Sequence, residues 1–187
     1  MRATRRGFGA LALSATLAAT LRPGQARAAG GALRRGVRTL PDFTFTDAEG
    51  AERRVADFAG QGLLLNFWAT WCPPCVAEMP ALDRLHAQLK AEGFAVLALS
   101  SDRGGRAQVA PFYARLGLSH MGIWLDPRGV AGRLLGVRGL PTSVIVDRQG
   151  QEVARLEGAA EWDAPDMVAA LRELIGPAVA RGGTERT

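Results

Sequence analysis

The chain of 187 residues holds two cysteines, Cys72 and Cys75, and both residues between them are prolines. A pair at this spacing can close a static disulfide, supply half of a metal site, or exchange a disulfide with another molecule. A static bridge over so short a gap removes little entropy from the unfolded chain, because that stabilisation grows with the enclosed loop. Zinc needs further ligands, and the two histidines, His86 and His120, stand 34 positions apart, too far to form the closely spaced histidine half of such a site. His86 reads as a packed or partly exposed helix residue and His120 as a loop residue. The spacing favours a working dithiol.

The flanking sequence suits that chemistry. The apolar run Gly62 to Ala69, broken only by Asn66, predicts a buried central strand. After the pair, Val76, Met79, Leu82, Leu85, His86 and Leu89 fall at helical spacing until Gly93. Cys72 therefore opens a helix, where unpaired backbone N–H groups and the positive end of the helix dipole stabilise a thiolate. Pro73 and Pro74 fit the first turn but remove two donors, so the Cys72 sulfur can receive backbone hydrogen bonds only from Cys75 onward. The loss is expected to leave the pair more reducing than one with donor-bearing residues between its cysteines. Cys75, one turn in and partly shielded, is the natural resolving thiol. Glu78, three residues further on, shares roughly the same face. From spacing alone it reads equally as a proton carrier for Cys75 and as a solvated surface residue.

These groups need a sheet to hold them. Phe43 and Phe45 alternate with Thr44 and Thr46 ahead of a Glu49-Gly50 turn, predicting a short hairpin. "FAVLALS" (94–100) predicts a second buried strand, residues 104–117 a helix broken or entered at Pro111, and "MGIWLD" (121–126) a short strand. "GVAGRLLGV" (129–137) predicts a short helix, 142–156 a strand, an Arg148-Gln149-Gly150 turn and a returning strand, and 161–176 an amphipathic helix with an acidic first turn. Strand-helix-strand crossovers make the first part parallel, and the closing hairpin makes the last part antiparallel.

Length allows one domain. The formal charge of +5 invites a nucleic-acid reading, but residues 1–28 contain five arginines (Arg2, Arg5, Arg6, Arg22 and Arg27) and no acid. Removing these five from the 23 basic residues leaves 18, equal to the 18 acidic residues, so no nucleic-acid partner is expected. The charged start, the uncharged stretch Gly7 to Leu21, Pro23-Gly24 and Ala26-Arg27-Ala28 together predict a signal peptide over 1–28, cleaved after Ala28. The uncharged stretch has fifteen residues, short of the roughly 20 that a membrane span needs. Thr4-Arg5-Arg6-Gly7-Phe8 resembles a twin-arginine export signal, although Gly9-Ala10 depart from it. Export would place the mature protein in the periplasm, or tether it to the membrane if the leader stays. Residues 29–39 are expected to form a flexible linker, 40–176 the folded domain, and 177–187 a flexible tail.

"FWATWCPPC" (67–75) and the later "GLPT" (139–142) resemble the thioredoxin fold. "NFWATWCPPCVAEMP" (66–80), with an insertion before "GLPT", is similar to the TlpA/ResA-like family of exported thiol-disulfide oxidoreductases, over about residues 40–175. The resemblance implies an α/β fold whose mixed central sheet carries helices on both faces, with an N-terminal β-hairpin and a central αβ insertion. It implies that Cys72 attacks a partner disulfide, that Cys75 resolves it, and that the two form the redox disulfide. It implies a cis-proline at Pro141, which alone would read as a strand-entry proline, presenting the Leu140 backbone to an extended substrate. Pro80 takes the place of a helix-kinking proline. Trp71, Pro73, Pro74 and Leu140 are expected at the contact surface, and Trp68 in the core. Ordinary cytosolic thioredoxins bury an Asp where Asn66 stands, so that proton relay is missing here. The resemblance moves the role to Glu78. The implied partners are exported proteins with Cys pairs, such as apocytochrome c or copper-site proteins, and a membrane electron donor of the DsbD/CcdA type. No cofactor is expected, and the protein is expected to be a monomer.

Two rivals are weaker. A thioredoxin-fold peroxidase would carry Pro-x3-Thr-x2-Cys, but Leu65 and Ala69 fill those positions, and Thr70 comes one residue too late. A copper-binding assembly chaperone of the Sco type would carry C-x3-C and a distal His.

Overall fold

A computed structural model describes residues 32–177. The expected leader, and the tail beyond Pro177, lie outside the described residues. The elements in chain order are β1 (Arg34–Thr39), β2 (Thr44–Thr46), β3 (Glu52–Arg54), β4 (Gly62–Trp68), α1 (Pro73–Leu89), β5 (Phe94–Ser100), α2 (Gly105–Leu116), β6 (Trp124–Leu125), α3 (Val130–Leu134), β7 (Thr142–Val146), β8 (Gln151–Glu157) and α4 (Pro165–Ile175). The strands form one mixed sheet in the order β1-β8-β7-β4-β5-β6-β2-β3. The crossover through α1 makes β4 and β5 parallel, while the hairpin β7–β8 brings β7 antiparallel against β4.

Alternation along β4 builds two cores. Leu64 and Trp68 point to the face covered by α1, α2 and α4, with Met79, Leu82, Leu85, Phe112, Val168 and Leu171. Leu63, Leu65 and Phe67 point to the other face, covered by α3 and by Phe43, Phe45 and Phe58. Helices thus cover both faces, but the second holds a single short one. Each fully buried leucine contributes about 2 kcal/mol of transfer free energy, which fixes α1 on the sheet. Gly93, at φ 71°, closes the turn that follows α1.

Two expectations are corrected. Residues 34–39, expected within a linker, form β1, paired antiparallel to β8. All six side chains are exposed, so no hydrophobic alternation marks the strand; backbone pairing and the Arg35–Glu173 ion pair at 2.8 Å hold it. Pro111 neither breaks nor begins α2 but lies inside it. It is exposed, so the carbonyl whose hydrogen bond it removes is left on the solvent side.

Candidate functional site

Cys72 sits at the carboxyl end of β4 as the N-cap of α1, with Pro73 and Pro74 in the first turn, and is disulfide-bonded to Cys75. The Val76 N–H donates to the Cys72 carbonyl at 3.0 Å, leaving the Cys75 N–H as the first-turn donor not engaged by a backbone carbonyl among the described residues. The loop before Cys72 is pinned by Asp102, which accepts the Thr70 N–H at 2.9 Å and the Thr70 hydroxyl at 2.8 Å. Cys72 is 5% exposed and Cys75 is fully buried, so one sulfur is at the surface and the other behind it.

A groove of about 540 Å³ opens over Cys72, lined among others by Phe67, Trp71, Pro73, Val137 and Leu140. Trp71 is 67% exposed. The Leu140–Pro141 bond is cis. Pro141 is buried, and its carbonyl accepts the Gly158 N–H at 2.9 Å. The backbone of Leu140 has no backbone partner among the described residues. Trp71, Pro73 and Leu140 therefore meet at the groove. Pro74 does not: it is exposed but lies outside the lining, because it turns away with the first turn of α1. Trp68 is core, its indole N–H donating to the Ala98 carbonyl at 3.1 Å.

Glu78 is not a solvated surface residue. It is 3% exposed, and its place on α1 sets it beneath the cysteines against the inward-facing side chains of β4 and β7. Asn66 shares the parity of Leu64 and Trp68 and stands opposite Ser143 in the sheet. Its amide nitrogen donates to Glu78 Oε1 at 2.8 Å and to Ser143 Oγ at 2.9 Å. Glu78 Oε2 accepts the Trp162 indole N–H at 2.8 Å and the Ala160 N–H at 3.1 Å. Burial dominates these donors and raises the Glu78 pKa to about 7. Trp162 and Ala160 escaped the sequence reading, since 84 residues separate Trp162 from Glu78. The Asn66 Oδ1 is buried without a partner among the described residues.

His86 and His120 are placed as expected: the half-buried His86 Nδ1 accepts the Val96 N–H at 3.0 Å, and His120 is exposed in a loop.

The AhpC/TSA family model matches residues 38–154. The thiol-disulfide oxidoreductase ResA of Bacillus thuringiensis subsp. konkukian is 36% identical over 121 residues, 65% of this chain and 69% of that protein. The ResA protein of Geobacillus thermodenitrificans is 37% identical over 113 residues, 60% of this chain and 64% of that protein. Among solved structures, a thiol:disulfide interchange protein DsbE from Chlorobium tepidum aligns with a TM-score of 0.62 at 32% identity, covering 77% of this chain and 96% of that one. The chain belongs to the AhpC/TSA family and, within its thioredoxin fold, is a thiol-disulfide oxidoreductase of the ResA/DsbE type with a Cys72–Cys75 disulfide.

Proposed function

We propose that the protein is a periplasmic, monomeric reductase of disulfides in exported partner proteins. The observation that carries this reading is a redox disulfide at the floor of an open groove, with a buried carboxylate one helical turn behind it whose pKa is about 7.

In the reduced protein the Cys72 thiolate attacks one sulfur of the partner disulfide. A Cys72–partner disulfide forms, and the partner's other sulfur leaves as a thiolate that takes up a proton. Glu78, as carboxylate, accepts the Cys75 proton; the Cys75 thiolate attacks the Cys72 sulfur, and the partner's second sulfur leaves and is protonated. Two electrons pass to the partner, and the Cys72–Cys75 disulfide remains. A group with a pKa near the working pH serves both directions of such a transfer. Rotating the Asn66 amide sets Oδ1 against Glu78 Oε1, where it accepts a hydrogen bond from the protonated carboxyl. The amide N–H matches the carboxylate and Oδ1 matches the protonated form, so the amide orientation follows the proton.

Pro141 holds Leu140 at the groove so that its free N–H and C=O pair with an extended partner strand. The names of the ResA and DsbE relatives support thiol–disulfide exchange, and the leader expected over residues 1–28 supports export. The finer partners, apocytochrome c or copper-site proteins as acceptors and a DsbD/CcdA-type membrane donor, follow the resemblance of the "WCPPC" region. The peroxidase reading gains nothing from its spatial setting: Leu65 and Ala69 are fully buried apolar residues, and the Thr70 hydroxyl is taken by Asp102.

Trapping tests the reading. With Cys75→Ser expressed in the periplasm, exported Cys-pair proteins are expected to accumulate disulfide-linked to Cys72. Full function of that variant with no linked partner would contradict it.

A further inference from the structure

One wall of the groove over Cys72 comes from residues 127–146, which contain Arg128, Arg133 and Arg138 and no acid. Arg133 and Arg138 line the groove, and both are exposed. Arg133 donates to the Arg128 carbonyl at 2.6 Å, and none of the three forms an ion pair among the described residues. Other arginines are ion-paired, among them Arg84 with Asp163 at 2.6 Å, Arg155 with Glu152 at 2.9 Å and Arg35 with Glu173 at 2.8 Å, while Arg103, Arg106 and Arg115 lack an ion pair among the described residues but do not line the groove. The acids nearest the groove in sequence are occupied. Asp126 caps α3, accepting the Val130 N–H at 2.7 Å and the Gly132 N–H at 3.1 Å. Asp102 is buried with Thr70, Ser100 and Gln108. The opposite wall, residues 69–77, carries no charge at all.

Resting on the reductase reading, we propose that this groove selects partner segments in which acidic residues flank the disulfide. The floor of Phe67, Val137 and Leu140 accepts an apolar side chain, while the two guanidinium groups pair with carboxylates beside it. Uncompensated cations at the rim speed encounter with an anionic segment and hold it through the mixed disulfide. The same field repels a basic segment, so the preference has an attractive and a repulsive half. The redox balance is unchanged: two electrons leave the Cys72/Cys75 dithiol, and the segment's two sulfurs leave as thiols.

The test uses the reduced full-length protein and three oxidised C-x-x-C peptides that differ only in flanking Glu, Gln or Lys. The second-order rate constant for exchange is expected to fall in the order Glu, Gln, Lys. A difference on the order of tenfold between the extremes is expected at low salt, shrinking as salt screens the field. In the double variant Arg133→Glu/Arg138→Glu the order is expected to reverse. The Glu-to-Lys ratio within one protein sample cancels any loss of folded protein. Equal rates for the three peptides, or an unreversed order in the double variant, would overturn the preference while leaving the reductase reading in place. Failure of every peptide to exchange with an intact dithiol would overturn the reductase reading and this one with it. Loss of binding to anionic phospholipid vesicles in the double variant, with the peptide order unmoved, would assign the arginines to a membrane surface and also overturn it.

Discussion

Glu78 and Arg148 are both buried and ionisable, at opposite ends of the sheet, and their surroundings differ in kind. Arg148 lies at the end away from the cysteines and donates to four backbone carbonyls: Gly176 at 3.2 Å, Gly60 at 3.1 Å, Gly93 at 3.0 Å and Glu92 at 2.8 Å. A guanidinium keeps its charge, so this residue can only stitch four chain segments together. Glu78 receives three donors, yet burial outweighs them and its pKa reaches about 7. A buried charge fully matched by backbone is architecture. A buried carboxylate whose donors fall short of its desolvation can exchange a proton at neutral pH.

The largest effect that separates the two ends is expected from Arg148→Met. It strands the Gly60, Glu92 and Gly176 carbonyls, Gly93 keeping the Gly62 N–H, and should lower stability by about 4 kcal/mol in urea unfolding. Disulfide exchange by the fraction that remains folded should change less than about twofold, because Arg148 touches nothing near Cys72. Glu78 gives the opposite signature. Its folded pKa of about 7 lies above the ordinary 4.5, so the folded state holds the proton more tightly. That contribution is complete below pH 4.5 and lost as pH rises through about 7, a fall of about 3 kcal/mol. Urea midpoints across this window should decline in the wild type relative to Glu78→Gln. A parallel pair of curves would remove Glu78 from the titrating groups. Trp162→Phe deletes one donor to the carboxylate, should cost about 2 kcal/mol at high pH, and should push the Glu78 transition further up. The smallest effect belongs to Trp71→Ala. The ring is 67% exposed, so stability should move within about 0.5 kcal/mol while exchange with protein partners slows.

The central strands were legible because β4 and β5 are buried on both faces and read as near-continuous apolar runs. Cys72 and Cys75 were legible because they open one helix at a two-residue spacing, whereas spacing left Glu78 open and only the resemblance pointed to it. β1 was not, since an edge strand with six exposed side chains carries no pattern beyond its backbone pairing. Trp162 and the groove arginines were not, because the return of the chain through β7 and β8 brings Trp162 to Glu78, while α3 and the loop before β7 bring the arginines to the groove. The three arginines in the acid-free stretch 127–146 were the available cue. Asn66 drew notice for what it lacks. Its place between Glu78 and Ser143 gives it a positive role in holding the carboxylate.

The most direct test is the pH dependence of mixed-disulfide resolution, followed after rapid mixing of a Cys72-linked model disulfide, in the wild type and in Glu78→Gln. The wild-type rate is expected to bend near pH 7, and the variant to be slower by on the order of a hundredfold with that bend absent. Equal rates with the same bend in both proteins would contradict a role for Glu78 in carrying the Cys75 proton.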